Sequence, residues 1–212
     1  MRAMKQRVRL LEWMILCAGV FIGMASTYET AVLVYTDVAV SKYIHSFRND
    51  MFTMFFRLIS DIGSIRLYAP LVCLLALYFL IRKRWLVVAL LVVSLYGSRY
   101  LNFALKSWFE RARPDIHTLV TATGYSFPSG HAMNATAFIG FIAYLAITEH
   151  RLELRQKAII ITVASLLIFS VTLSRVYLGV HYPTDILAGC AAGGAWLILC
   201  ILFHQFFSKK TA

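Results

Sequence analysis

The sequence predicts an all-α integral membrane protein, a six-transmembrane-helix bundle with both termini in the cytoplasm. Hydrophobic residues make up 60% of the 212 residues and charged residues only 15%, whereas soluble domains contain about 25% charged residues. The mean hydropathy is +0.71. Six apolar stretches approach the length of about 20 helical residues that a bilayer core of about 30 Å requires. A soluble globule and a disordered chain are excluded, because neither accommodates so many large apolar side chains.

The first three predicted spans are 10–28, 67–81 and 85–105. The first follows a basic segment as a signal peptide would, but no A-x-A cleavage site follows it, so we expect a retained helix. Residues 30–50 are expected to contain an interfacial helix on the outer surface. The second span is the shortest, and we expect it either to extend back through Ile65 or to cross with little tilt.

The last three predicted spans are 131–147, 158–176 and 186–207. The fourth begins shortly after Pro128, since proline is well suited to the start of a helix. The sixth carries a patch of small residues between Gly189 and Ala195, which indicates close helix packing, with a dimer face as the second interpretation. We find no repeat or linker, so residues 1–212 are predicted to form a single membrane domain.

The distribution of basic residues predicts the orientation of the bundle. Four segments that must share one side of a six-span protein hold twelve of the 21 Lys and Arg residues. Because cytoplasmic loops collect Lys and Arg, this side is predicted to be the cytoplasm. The segments are the N-terminus (Arg2, Lys5, Arg7 and Arg9), residues 82–84, residues 151–157, and Lys209 with Lys210 near the C-terminus.

Four other basic residues collect at the predicted outer ends of the third and fifth spans. They are Lys106, Arg111, Arg113 and Arg175. Cations placed against the orientation bias indicate an anion site, although headgroup anchoring would explain any one of them alone. The net charge of +11 is thus explained by topology and an anionic ligand, and we expect no nucleic-acid partner. Arg99, inside the third span, is interpreted either as support for the site or as part of a structural pair.

Three polar segments lie on the predicted outer side and contain three of the four prolines. Residues 106–114 follow the third span, residues 128–131 open the fourth, and residues 174–185 join the fifth to the sixth. Prolines stiffen loops and begin helices, as a preorganised site requires. These three segments are therefore the candidates for chemistry on an anion.

The side chains of these segments suit a phosphate group. Arg113 and Arg175 can each offer paired N–H donors to phosphoryl oxygens, and Lys106 adds a compact charge. Ser129 and Gly130 lie where a helix begins, so free backbone N–H groups and the helix dipole favour an anion there. We therefore predict that these five residues bind phosphate.

Two histidines can carry a reaction at that phosphate. His181 and Asp185 are four residues apart, so the carboxylate can hold one imidazole nitrogen and leave the other as a nucleophile. His131 can protonate the leaving alkoxide and later activate water. The predicted reaction is hydrolysis through a phosphohistidine, with His181, His131 and Asp185 as the catalytic residues.

Together these segments resemble the signature of the type 2 phosphatidic acid phosphatase superfamily: K-x6-RP, PSGH and SR-x5-H-x3-D. Every position of the signature is matched between Lys106 and Asp185. The resemblance implies a metal-independent phosphatase in which the five residues above bind phosphate, His131 is the acid, and His181 with Asp185 forms the nucleophile pair. The segment LNFALKSWFERARPD is also similar to bacterial phosphatidylglycerophosphate phosphatases of the B type.

The functional hypothesis is a lipid phosphatase of the cell membrane whose active site lies on the outer side, with phosphatidylglycerophosphate as the expected substrate. Undecaprenyl pyrophosphate is the alternative substrate, and a lipid phosphotransferase would share the phosphohistidine. A phospholipid or phosphate transporter belongs to a different class, and it would need neither His131 nor the His181–Asp185 pair. No HExxH motif or Cys/His cluster occurs, so we expect no metal site and no cofactor.

Overall fold

Helices form the regular structure of this chain. The computed structural model describes residues 2–115 and 117–208, and no strand occurs within these ranges. The prediction of an all-α fold is confirmed for this part of the chain. Lys209 and Lys210, predicted to be cytoplasmic, lie outside the described residues. The helices are α1 (Arg2–Thr27), α2 (Ala31–His45), α3 (Asp50–Ile62), α4 (Ile65–Ile81), α5 (Trp85–Val92), α6 (Ser98–Phe109), α7 (Gly130–Glu149), α8 (Leu154–Tyr177) and α9 (Pro183–Phe207), with a π-helical turn (Val93–Gly97) between α5 and α6.

Among the described residues, five helical segments are long and apolar enough to cross a membrane. They are the segment from Met4 in α1, the continuous segment Trp85–Phe109, and α7, α8 and α9. A sixth span results if α3 and α4 cross together, because they form one apolar pair with a bend of 42°. The predicted second span is therefore the longer arm of a bent pair, and it begins at Ile65.

The elbow between α3 and α4 packs closely against α8. A Cβ atom added to Gly63 would lie only 2.3 Å from Cγ1 of Val171. Any larger residue at this position would force Val171 or one of the helices to shift, because real Cβ atoms do not approach other carbon atoms this closely. The glycine thus allows the bend to occur next to α8.

Helix α9 packs closely on the beginning of α7, as its patch of small residues predicts. A Cβ atom added to Gly189 would lie 2.6 Å from the carbonyl oxygen of Ser129, and one added to Gly193 would lie 2.5 Å from that of Met133. Small residues permit backbones to approach in this way within membrane proteins. The contact fixes the start of α7 against the first turns of α9.

Helix α2 contacts the end of α8 and the beginning of α9, and it lies within the region expected to contain an interfacial helix. His45 Nε2 lies 2.8 Å from the carbonyl oxygen of Val176 near the end of α8. Asp37 accepts a hydrogen bond of 3.0 Å from the backbone N–H of Thr184 in the first turn of α9. These contacts make α2 part of this end of the bundle.

The buried residues divide into an apolar core and a polar end. Leu91, Leu95, Phe138 and Phe141 in the core have no exposed surface. Burying polar groups costs free energy unless they are hydrogen-bonded, so a buried polar cluster marks a candidate site. The cluster lies where α6 and α8 end and α7 and α9 begin, and it contains Asp37, Ser126, Ser129, Arg175, His181, Thr184 and Asp185.

Candidate active site

Two loops close the polar end of the bundle. The first, residues 110–129, joins α6 to α7, and the second, residues 178–182, joins α8 to α9. The Leu119 N–H donates to the carbonyl oxygen of Leu178 at 3.0 Å, and the Ser129 N–H donates to that of Asp185 at 3.0 Å. The three polar segments singled out in the sequence therefore meet in one place.

The imidazole of His181, in the second loop, is held by Ser126 of the first loop and by Asp185 in the first turn of α9. His181 Nδ1 lies 3.4 Å from Asp185 Oδ2 and 3.2 Å from Ser126 Oγ. The Ser126 hydroxyl donates to the same Asp185 oxygen at 2.5 Å. A proton on Nδ1 completes this chain of hydrogen bonds, which leaves Nε2 unprotonated. The predicted His–Asp pairing is present, with Ser126 as an additional contact.

Burial keeps the His181 imidazole neutral. The side chain is 3% exposed, and loss of solvent lowers the pKa of His181 to about 4, although the hydrogen bond and charge of Asp185 oppose this change. The positive charges of Lys106 and Arg113 lower this pKa further. At neutral pH the imidazole therefore has the unprotonated Nε2 that a nucleophile requires.

The Arg113 guanidinium holds the two loops together. Its Nε and Nη2 donate to the carbonyl oxygens of Gly124 and Thr123, both at 2.9 Å, and its Nη1 donates to that of Val180 at 2.8 Å. Nη1 also lies 3.4 Å from His181 Nε2. The sequence predicts that these donors bind phosphate. In the structure Nε, Nη1 and Nη2 each donate to a backbone carbonyl oxygen, and Nη1 also faces the candidate nucleophile, His181 Nε2.

Arg175 is buried near the end of α8 and retains an unused donor. Its Nη1 donates to the hydroxyl of Ser60 in α3. Its Nε has no hydrogen-bond partner among the described residues, and the charges of Arg113 and Asp61 act on it. A buried guanidinium with an open N–H is well suited to bind a phosphoryl oxygen.

Polar side chains on α6 contact the loop that leads into α7. The Asn102 amide donates to the carbonyl oxygen of Pro128 at 3.1 Å. One turn later, the Lys106 ammonium donates to the carbonyl oxygens of Tyr125 and Ser126. Lys106 also lies within electrostatic range of both site arginines. These contacts place its positive charge beside the His–Asp pair.

Ser129, Gly130 and His131 lie at the beginning of α7. The buried Ser129 hydroxyl has no hydrogen-bond partner in the described part of the chain. A Cβ atom added to Gly130 would lie 2.8 Å from Asn102 Oδ1, so the glycine lets α6 approach the first turn. His131 is within electrostatic range of the other site histidine and of both site arginines. A helix N-terminus with an open hydroxyl is a favourable place for a phosphate.

Arg111 has a different role from that expected of the four outer cations. It forms ion pairs with Asp37 at 2.8 Å and with Asp185 at 2.6 Å. Burial opposes the charged form, but the two carboxylates outweigh burial and raise the pKa of Arg111. The prediction that it contributes to an anion site is wrong, because its donors are occupied by carboxylates.

Three contributors to the site were missed in the sequence: Asp37, Ser126 and Thr184. Asp37 carries a usable signal, since it is the single charged residue in the apolar segment 31–40. Such a residue is costly next to a membrane unless it is paired. Ser126 and Thr184 carry no comparable signal, because isolated hydroxyl residues are common in loops and helix starts.

Arg99 lies on the exposed side of α6, within electrostatic range of His131. Within residues 2–115 and 117–208, no group of three or more His, Cys, Asp and Glu side chains is arranged to hold a metal ion.

Two crystal structures are similar to this chain over most of its length. One is the crystal structure of the first transmembrane PAP2 type phosphatidylglycerolphosphate phosphatase from Bacillus subtilis, with a TM-score of 0.84 and 32% sequence identity. The similarity covers 92% of this chain and 96% of that chain. The other is Aquifex aeolicus LpxE, with a TM-score of 0.60 and 28% identity over 79% of this chain and 94% of that chain.

Sequence comparison points to the same family. Phosphatidylglycerophosphatase B of Bacillus subtilis is 35% identical over 191 residues, which cover 89% of this chain and 92% of that protein. Undecaprenyl-diphosphatase of Sulfolobus acidocaldarius is 29% identical over 143 residues, covering 66% of this chain and 64% of that protein. A family model described as the PAP2 superfamily matches residues 85–209, which contain all three polar segments. The chain therefore belongs to the PAP2 superfamily and is a membrane phosphatase of that family.

Proposed function

We propose that this protein hydrolyses phosphatidylglycerophosphate to phosphatidylglycerol through a phosphohistidine on His181. The observation that carries the proposal is the unprotonated Nε2 of a buried, neutral imidazole whose Nδ1 is held by Asp185 and Ser126. The choice of lipid is supported by the name of the Bacillus subtilis relative, which matches this chain over nearly its whole length. Residues 1–212 would act as one membrane domain.

The phosphate of the substrate would be bound by the cations and the helix start described above. Arg175 offers its open Nε, Ser129 its unpaired hydroxyl, and Gly130 the free N–H of a first helical turn. Lys106 and Arg113 border the nucleophile and add positive charge. Such fixed donors stabilise the charge on the equatorial oxygens as the phosphoryl group transfers.

In the first half-reaction, His181 Nε2 attacks phosphorus and the bond from phosphorus to the lipid oxygen breaks. His131 gives its proton to that oxygen, so the lipid leaves as an alcohol. Asp185 stabilises the positive charge that develops on the phosphorylated imidazole. The products of this step are the free lipid alcohol, a phosphohistidine and a neutral His131.

In the second half-reaction, water attacks the phosphorus of the phosphohistidine. His131 accepts a proton from this water, and the electron pair of the breaking N–P bond returns to His181 Nε2. Inorganic phosphate leaves, and both histidines regain their starting forms. These steps need no cofactor, because the two histidines, the water and the substrate supply and accept every proton and electron pair that moves.

The protein would lie in the cell membrane as a multi-pass protein, with both termini in the cytoplasm and the active site on the outer side. Support comes from basic residues at the other end of the bundle, where Arg84 pairs with Glu149 at 2.7 Å and Arg7 donates to the carbonyl oxygen of Gln205. Cytoplasmic ends collect such residues. Its partners would be the bilayer and a membrane lipid phosphate.

A labelling experiment in intact cells tests this orientation. In a background with the native cysteines replaced by serine, Thr121→Cys in the first loop is expected to react with a membrane-impermeant maleimide. The matched variant Arg82→Cys, at the opposite end, should react only after the cells are permeabilised. The reverse pattern would show that the active site faces the cytoplasm.

Undecaprenyl pyrophosphate is the second candidate substrate, favoured by the similarity to a relative named undecaprenyl-diphosphatase. The same residues would then transfer the terminal phosphoryl group of a pyrophosphate. A phosphotransferase would pass the phosphoryl group from His181 to an alcohol in place of water. A transporter would use the cations as an anion path, without a need for the His–Asp pair.

Phosphate release by the purified protein distinguishes these functions. We would compare phosphatidylglycerophosphate, undecaprenyl pyrophosphate and phosphatidic acid by kcat/KM in detergent with EDTA present. The expected result is release that survives EDTA and is fastest for phosphatidylglycerophosphate. A higher kcat/KM for undecaprenyl pyrophosphate would establish the second candidate. Labelled phosphate that enters an added alcohol would indicate transfer, and phosphate flux into proteoliposomes without release would indicate transport.

A further inference from the structure

A network of charges connects α2 to the catalytic carboxylate. Arg111 Nη1 donates to Asp185 Oδ1 at 2.6 Å and to Thr184 Oγ1 at 2.7 Å, and Arg111 Nη2 donates to Asp37 Oδ2 at 2.8 Å. The Asp37 and Asp185 side chains are 1% and 0% exposed. One guanidinium therefore bridges two buried carboxylates that come from different helices.

Asp37 also holds the first turn of α9. Its Oδ1 accepts the backbone N–H of Thr184 at 3.0 Å, and its Oδ2 accepts the Thr184 hydroxyl at 2.6 Å. The first N–H groups of a helix have no partner within the helix, and a carboxylate there is favoured by the helix dipole. Because Asp185 is the next residue, this contact fixes the backbone that carries the catalytic carboxylate.

The two carboxylate oxygens of Asp185 have different partners: Oδ1 faces Arg111 and Oδ2 faces His181. Oδ1 accepts from Arg111, while Oδ2 accepts from the Ser126 hydroxyl and, at 2.8 Å, from the backbone N–H of Tyr182. Oδ2 is also the oxygen that faces His181 Nδ1. The side-chain rotamer of Asp185 is thus set by Arg111 on one side and by the loop on the other.

The charges of the network keep Asp185 effective as a partner of His181. Asp37, Arg111 and Asp185 together carry one net negative charge. Without Asp37, Arg111 and Asp185 would form a neutral pair, with less negative charge to stabilise a phosphorylated imidazole. Loss of the Asp37 charge also removes the ion pair that holds Arg111 Nη2, so the remaining groups can rearrange.

We propose that Asp37 and Arg111 are positioning residues for the reaction, and that they act by holding Asp185 and through it the His181 imidazole. The inference rests on the proposed function of His181 as the nucleophile. Neither residue is among those proposed above to bind the phosphate or to transfer a proton. Helix α2 thereby becomes part of the catalytic apparatus.

The first test is Asp37→Asn, a change that keeps the shape of the side chain and removes its charge. We expect kcat to fall about ten-fold or more, as for other residues that orient a catalytic group. KM and the inhibition constant of inorganic phosphate should stay within about two-fold, because no phosphate ligand is changed. Both p-nitrophenyl phosphate and the lipid serve as substrates, so that the result does not depend on the identity of the lipid.

Two control variants separate positioning from a general loss of packing or charge. Ser41→Ala changes a buried side chain one turn after Asp37 whose hydroxyl has no hydrogen-bond partner among the described residues. Glu149→Gln breaks the Arg84 ion pair at the other end of the bundle. Both variants should keep kcat close to that of the unchanged protein.

A milder pair of variants covers the case in which Asp37→Asn does not fold. Thr184→Val removes only the hydroxyl, which accepts from Arg111 and donates to Asp37. We expect kcat to fall about five-fold or more, because two hydrogen bonds of the network are lost. Thr184→Ser keeps the hydroxyl and should recover most of that loss.

The inference is overturned if folded Asp37→Asn or Thr184→Val keeps the kcat of the unchanged protein. It is equally overturned if KM rises while kcat is constant, or if Ser41→Ala causes the same loss. If the protein without any substitution releases phosphate from neither substrate, the proposed function itself is contradicted. This outcome is distinct from failure of the inference about Asp37 and Arg111.

Discussion

Replacing His181 with alanine is expected to abolish phosphate release. The variant lacks the imidazole whose Nδ1 is held by Asp185 and Ser126 and whose Nε2 is the proposed nucleophile. Loss of a catalytic nucleophile reduces kcat by about four orders of magnitude or more, because the steps it takes part in cannot occur. The measurement is kcat for phosphate release from the lipid, together with the amount of acid-labile phosphoprotein trapped on the enzyme.

His117→Ala is the matched control for this experiment. His117 lies in the loop that closes the site, but its side chain is exposed, and its described contact, with Arg48, is made by the backbone carbonyl oxygen. The control should keep full activity and should still form phosphoprotein. Retention of even a tenth of the activity by His181→Ala would show that the phosphoryl group is not transferred to this residue.

Replacing His131 with alanine is expected to produce a loss that depends on the leaving group. With a lipid alkoxide as leaving group, the loss of a general acid should reduce kcat/KM by about 100-fold to 10,000-fold. With p-nitrophenyl phosphate, whose leaving group needs little protonation, His181 should still be phosphorylated at a rate close to normal. Release of phosphate should then slow, because the same residue is needed to activate water.

Rapid-mixing experiments can separate these two steps for His131→Ala. We expect an early burst of p-nitrophenol equal to the amount of enzyme, followed by a slow steady rate while phosphoprotein accumulates. Equal losses with good and poor leaving groups, without a burst, would contradict the assignment of His131 as acid and base. They would instead indicate that the side chain helps to bind phosphate, since it lies close to Arg113 and Arg175.

The helices and the three polar segments could be predicted from the sequence because their signals are local. Long apolar stretches indicate spans, and five of the six predicted spans correspond to single continuous helical segments in the structure. The spacing between His181 and Asp185 is short enough that almost any local turn brings the two side chains together. Their contact at 3.4 Å is therefore an expected consequence of the sequence.

The bend in the second span was not predictable from hydropathy. The elbow at Gly63 depends on a close contact with Val171, more than 100 residues later in the chain. Helices α3 and α4 are both apolar, so hydropathy alone does not show where one helix ends and the next begins. Only the packing of α8 against the elbow determines where the direction of the chain changes.

The roles of the arginines required the tertiary structure as well. The sequence places Arg111 and Arg113 two residues apart, with the same charge and similar surroundings. In the structure Arg111 pairs with Asp37 and Asp185, whereas Arg113 binds loop carbonyl groups beside His181. The difference is decided by which distant acceptors the packing brings within reach of each guanidinium.

The sequence by itself determined the membrane class, the positions of most helices and the chemical character of the site. These features depend on the hydrophobicity of continuous segments and on residues close together in the chain. Only the tertiary structure decided which cations remain open to a phosphate and which are occupied by carboxylates. The physical reason is that ion pairs and hydrogen bonds depend on distances of about 3 Å, and such distances between remote residues exist only after the helices have packed.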